Sequence, residues 1–171
     1  MYNPFVTKYH SMKNLFLVVL LTVLFWSCTS TDSSKDNVAL IENYIEAVEN
    51  LDYEAMDDIL DDEYLGIGPS RSDSINKENA IKNWKQNVDE LYEKIEYSKN
   101  KNLAVITAEG EWVSNWSDLT ITYKSNQKQI SILANTIYQI KDGKIIKSIT
   151  FYNEADALEQ LGYVFINPED L

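Results

Sequence analysis

The sequence is nearly without histidine and cysteine, with one of each in 171 residues, His10 and Cys28. It is poor in positive charge, with 15 Lys and Arg against 27 Asp and Glu. It also has no apolar run long enough to cross a bilayer core, which takes about 20 residues. Its one long run, Leu15–Trp26, has 12. Each shortage excludes something. A single cysteine forms no internal disulfide. A chain dominated by carboxylates is a poor ligand for nucleic acid, whose binding starts with Lys and Arg neutralising phosphates. The same balance argues against a basic patch on anionic lipid.

The short apolar run has another meaning. Lys8, His10 and Lys13 precede it, and Ser27 and Cys28 follow it. A basic start, a short apolar core and a small residue before a cleavage point is the layout of an export signal. Met12, which opens "MKNLFLVV", is an alternative start to Met1. "FWSC" resembles a bacterial lipobox, which implies a lipid on Cys28 and a lipid-anchored protein of the bacterial cell envelope. An ordinary signal peptide with an incidental cysteine is the alternative. Residues 1–27 then form the signal, and 28–37, with the polar "TSTDSSKDN", form a flexible tether. Residues 38–165 form the domain and 166–171 a tail.

Removing residues 1–27 takes Lys8 and Lys13 and no acid. That leaves 13 basic and 27 acidic residues, a formal net charge of −14. It also takes His10. The exported chain is therefore expected to have no Ser-His-Asp triad, no Cys-His pair and no His-ligated zinc. Proton transfer would fall to Asp, Glu, Tyr or Lys.

Within the domain, Val38, Ile41, Ile45 and Val48 follow helical spacing, with Asp36 or Asn37 as the expected cap. Asp52 and Asn76 are expected to cap a second and a third helix, the third carrying Ile81, Trp84, Val88 and Leu91 on one face. After Leu91 the period becomes two. Tyr92–Ser98, Leu103–Val113, Leu119–Lys124, Gln129–Ile140 and Ile145–Asn153 read as strands. Lys99–Asn102 is expected as a turn and "SNWSD" (Ser114–Asp118) as a bulge or bend. Asp142-Gly143 is a two-residue hairpin signal. Ala155–Leu161 reads as a short helix that Asn153 can cap and Gly162 closes. Helices first and a long antiparallel meander after them predict an α+β domain.

This order, with "DGKI" and the terminal "FYNEADALEQLG", resembles the nuclear transport factor 2-like superfamily, in its SnoaL-like (polyketide-cyclase-like) branch. Tyr44–Ser70 resembles the opening of ketosteroid isomerase. The resemblance implies a cone: a strongly curved, mostly antiparallel sheet wrapped around three N-terminal helices, with a short C-terminal helix and a pocket at the open end. It implies an aromatic-lined cavity for a small molecule, and Tyr44, Trp84, Trp112, Tyr138, Phe151 and Tyr152 are suitable walls. Plain core packing is the alternative for each.

Catalytic relatives carry an acid or base at three places that match Gly68, Asn135 (with Thr136 beside it) and Asn153 here. None of those three carries a proton near neutral pH. Asn135 and Asn153 join the expected ligand contacts Tyr44, Trp84, Trp112, Tyr138 and Tyr152. Glu109 and Glu111, spaced to share a strand face, remain as weak acid–base candidates. The opposite face, Ile106, Ala108, Gly110 and Trp112, is the expected cavity wall, which would leave both carboxylates in solvent. The acidic run Asp57–Glu63 lacks the ligand alternation and central glycine of a calcium loop and reads as a charged helix end. The expectation is a lipid-anchored domain that binds a small apolar or amphipathic molecule without catalysis, with no cofactor and no metal. Two alternatives stay open. One is a lyase, isomerase or cyclase using Glu109 or Glu111; the other is a homodimer or interaction module using the sheet face.

Overall fold

A computed structural model describes residues 33–70, 72–167 and 169. The signal run and Cys28 lie outside the described residues. Among the described residues there are four α-helices and six strands. Helix α1 (Ser33–Glu49), α2 (Tyr53–Ile59), strands β1 (Leu60–Ile67) and β2 (Ser74–Asn76), and α3 (Lys77–Glu90) come first. Strands β3 (Tyr92–Thr107), β4 (Gly110–Tyr123), β5 (Gln129–Lys141) and β6 (Lys144–Tyr152) then form the meander, and α4 (Glu154–Leu161) ends it. The strands lie in one sheet in the order β2-β1-β6-β5-β4-β3. Only β1 and β6 run parallel; the other neighbours are antiparallel. This is the expected α+β cone.

Local chemistry explains most of the boundaries. The Asp52 carboxylate accepts the Ala55 N–H at 2.9 Å, and the Asn76 amide oxygen accepts the Asn79 N–H at 3.1 Å. Each satisfies a first-turn donor that the helix leaves free. At the Asp142-Gly143 hairpin both central residues have positive φ, 52° and 74°. That is the type I′ geometry whose twist matches paired strands.

Helix α1 starts earlier than expected. Ser33–Asn37, read as the end of a tether, are its first turns. Asn37 is not a cap; it is buried, and its amide donates to the Glu111 carboxylate at 2.5 Å. That long-range bond ties the helix start to β4 and holds it folded.

The meander also differs from its expected form. Lys99–Asn102 does not reverse the chain. Strand β3 continues through it for 16 residues, with a register shift against β4 between Ser98 and Lys101 and Lys99 at φ 55°. An extra residue in one strand bends it and increases its twist, as a cone requires. The reversal comes later, at Ala108-Glu109, between the paired Thr107 and Gly110. The Thr107 hydroxyl accepts the Glu109 N–H at 3.1 Å, and Gly110 takes φ 130°. Leu103–Val113, read as one strand, is therefore two strands and a turn.

The core lies where α1 and α2 meet the concave side of the sheet. Ile41, Val48, Met56, Leu60, Val113 and Ile145 are its fully buried side chains. A smaller apolar cluster joins Ala157 of α4 to Ile130 and Ile132 of β5. Strand β5 runs past the end of β6 at its Gln129 end, and α4 covers it there. The Gln160 side chain imitates a strand residue, accepting the Ser131 N–H and donating to the Ser131 carbonyl, both at 2.9 Å.

Candidate functional site

Side chains alternate across a strand, so each strand of the meander contributes one row to the inside of the cone and one to the outside. The inside rows leave a cavity of about 410 Å3 between the helices, the sheet and α4. That is the size of a small-molecule site.

Its depth is a cluster of phenols. Tyr44 of α1, Tyr64 of β1, Tyr97 of β3 and Tyr138 of β5 all line it. Tyr44 and Tyr138 meet edge to face, with centroids 5.9 Å apart. The Tyr64 hydroxyl and Ser148 Oγ lie 2.6 Å apart and share a hydrogen bond. Thr136 and Thr150, also in the wall, have their hydroxyls 3.2 Å apart. Burial, then the neighbouring phenols Tyr64, Tyr138 and Tyr97, holds the Tyr44 pKa well above its ordinary value of 10.0. Burial first, with Tyr97 next, does the same to Tyr138. Burial and then the Glu49 carboxylate raise Tyr97. These groups therefore stay protonated and offer neutral hydroxyls to whatever enters.

The mouth is aromatic too. Trp84 of α3 meets Tyr92 of β3 at 6.0 Å, and Tyr92 meets Tyr123 of β4 at 5.9 Å, both edge to face. Tyr152 and the first residue of α4, Glu154, complete this end of the lining. Burial, then Tyr123 and Tyr152, pushes the Tyr92 phenol up to about 12. Among the described residues, no lysine, arginine or histidine lines the cavity, and Glu154 is its single carboxylate.

The structure brings together Tyr44, Trp84, Tyr138 and Tyr152. It places the other expected contacts elsewhere. Trp112 lies in the outside row of β4, in a shallow surface groove with Leu103, Val105 and Ile137. Asn135 also points outward, beside Trp116, Leu133 and Phe151, and its amide donates to Ser114 Oγ at 2.9 Å and the Asn115 carbonyl at 3.0 Å. Its inward neighbour is Thr136. Asn153 is exposed and caps α4, its side chain accepting the Asp156 N–H at 3.2 Å. Gly68 lies just beyond β1, its N–H bonded to the Asp73 carbonyl at 3.0 Å.

Glu109 and Glu111 do not share a strand face. Glu109 is exposed in the hairpin turn, whereas Glu111 is half-buried and held by Asn37. The expected wall of Ile106, Ala108, Gly110 and Trp112 is not a wall, because the chain turns within it. The acidic run Asp57–Glu63 contributes Asp57 and Asp62 to the ammonium of Lys77, at 3.3 and 3.2 Å.

The sequence reading omitted Tyr64, Tyr92, Tyr97 and Tyr123. The alternation of Ile95 with Tyr97 and of Leu119, Ile121 and Tyr123 is the signal that finds two of them, Tyr97 and Tyr123.

The SnoaL-like domain model matches residues 38–144. The chain belongs to the SnoaL-like family. Solved structures with the same fold include a candidate polyketide cyclase of Xanthomonas campestris pv. campestris. It has a TM-score of 0.63 at 14% identity, over 75% of this chain and 98% of that one. An LEH-like epoxide hydrolase of M. tuberculosis has a TM-score of 0.61 at 12% identity, over 75% and 91%. A candidate isomerase of Bacillus subtilis has 0.62 at 12%, over 78% and 97%. At such identities the likeness is one of fold. No curated protein matches the chain. The lining of this SnoaL-like domain is phenols and hydroxyls in depth and, among the described residues, a single carboxylate at the rim.

Proposed function

We propose that this SnoaL-like domain binds a small apolar or amphipathic molecule in the cone cavity and does not transform it. The observation that carries the reading is the cavity itself: about 410 Å3, walled by aromatic rings, with neutral hydroxyls as the polar groups in its depth among the described residues. Such a wall desolvates a ligand's apolar body and orients its polar atoms. It offers no group in depth that exchanges a proton near neutral pH. The enzyme alternative depended on Glu109 and Glu111, and neither lines the cavity.

Filling the cavity tests this. Ala134 is buried in its wall, and Ala134→Phe places a ring in the open space. Nile red, a neutral apolar dye, is expected to bind the native domain with enhanced fluorescence and the folded variant at least about ten-fold more weakly. Equal binding by both would place the dye outside the cavity and overturn the reading.

A specific surface favours a second role alongside the first. Leu103, Trp116, Leu133 and Phe151 are about half exposed or more on the convex side of the sheet. Exposed apolar side chains of this kind suit a second copy of the chain. Sedimentation across a range of concentrations would show a dimer; a monomer throughout would remove it. The lipid anchor on Cys28 is proposed on the sequence alone, from the apolar run that ends at Ser27. Cys28→Ser is expected to release the protein from bacterial membranes, and continued retention would overturn it.

A further inference from the structure

We infer that the mouth of the cavity is built to hold an organic ammonium group, so that the ligand is an amphipathic cation with a neutral body. The inference rests on the binding reading above and names its ligand class. Three observations lead to it.

The first is the ring arrangement. Trp84, Tyr92 and Tyr123 meet edge to face, with planes at 62° and 66°. Rings set at such angles form the corner of a box, not a stack. Tyr152 closes another side. An ammonium held against several aromatic faces is attracted by their quadrupoles, and a desolvated site strengthens this.

The second is the sign of the charge. Glu154 lines this end of the cavity and Asp73 lies near it; after burial, those two carboxylates are the main causes that raise the Tyr152 phenol. Two described lysines on this side of the domain are otherwise engaged or set back. Lys124 Nζ donates to the Val88 and Asp89 carbonyls at the end of α3, at 2.8 and 3.3 Å. Lys128 lies beside Gly162, at the opposite end of α4 from Glu154. Among the described residues of the lining, a cationic ligand meets a carboxylate and an aromatic box.

The third is the contrast in depth. The inner hydroxyls of Tyr44, Tyr64 and Tyr138 carry no charge, so the ammonium belongs at the mouth and the uncharged body below it.

Competition against Nile red tests the charge separately from the shape. The probes are phenyltrimethylammonium and tert-butylbenzene, which have the same shape and differ by one positive charge. The cation is expected to displace the dye at about ten-fold lower concentration, within the range of a cation–π site. Tyr92→Leu should remove most of that advantage. Glu154→Gln should reduce it further at low salt than at high salt, because a carboxylate at the rim is screened. Equal displacement by both probes, or displacement by neither while the dye binds, overturns the ammonium site and leaves the cavity reading standing. Failure of the dye itself to bind overturns both.

Discussion

The two faces of one sheet both carry aromatic side chains and do different work. Strand β4 shows it within a few residues: Trp112 and Trp116 point outward, and Leu119, Ile121 and Tyr123 point inward. Strand β6 repeats it with Phe151 outside and Tyr152 inside. The concave face is phenolic, buried and hydrogen-bonded across strands. The convex face holds larger apolar groups in solvent, with grooves instead of a cavity. Aromatic content therefore says little about a site here; parity along the strand decides which side a ring serves.

The largest way to separate the faces is alkaline pH. Burial raises the pKa of Tyr44, Tyr92, Tyr97 and Tyr138, all on the concave side. In the unfolded chain a tyrosine ionises near 10. A raised folded pKa means that the unfolded state loses protons first. The stability is whole below pH 10 and falls as pH rises from there through about 12, the Tyr92 value. Phenolate absorbance followed during a pH jump should show these tyrosines ionising together with loss of structure. A smooth titration of every tyrosine near 10, with the fold intact, would contradict the buried cluster.

Next comes the core beneath the cavity. Ile41 is fully buried on α1. Ile41→Ala is expected to destabilise the domain by about 2–5 kcal/mol, the cost of a large-to-small change that leaves a void. Urea unfolding measures it, and a loss under about 1 kcal/mol would mean that the helix does not pack as described.

Much of this is legible in the sequence. Helix spacing, the caps Asp52 and Asn76, and the Asp142-Gly143 hairpin are local signals, and local chemistry decides them. The inward placement of Tyr138 and Tyr152 also agrees with the resemblance. The failures have one physical source. Lys99–Asn102 has turn composition, yet neighbouring strand β4 pairs on both sides of it and converts it to a bulge. Ala108-Glu109 lacks the usual Asn-Gly signal, yet reverses the chain with help from the Thr107 hydroxyl. A turn displaced by several residues reverses the parity of everything assumed after it. That is why a single unbroken strand predicts Trp112 inside and Glu109 and Glu111 as a pair, and the hairpin does not. Asn135 shows the same sensitivity at a single step, since its neighbour Thr136 is the residue that reaches the cavity.

A smaller effect tests the polar floor of the cavity. The Tyr64 hydroxyl and Ser148 Oγ are each other's partner in a buried setting. Tyr64→Phe leaves the Ser148 hydroxyl without it, at a cost of about 1–3 kcal/mol. The double variant with Ser148→Ala should recover part of that loss, because both polar groups are then gone. A double variant that is worse by the full sum of the singles would show that the two hydroxyls act separately.

The smallest effect belongs to the convex face, and its smallness is the point. Leu133 is 76% exposed although it sits mid-strand between two buried neighbours, Ile132 and Ala134. If that side chain serves only an interface, Leu133→Ser should change the stability of the isolated domain by no more than about 0.5 kcal/mol, as surface substitutions usually do. Nile red affinity should also be unchanged, since the residue is on the far side of the sheet from the cavity. What should move is association: a dimer built on this face would lose a central contact and dissociate at higher concentration than the native chain. A marked fall in monomer stability instead would mean that Leu133 packs within its own chain. The two faces would then not be separable, and the division between a ligand side and an assembly side would fail.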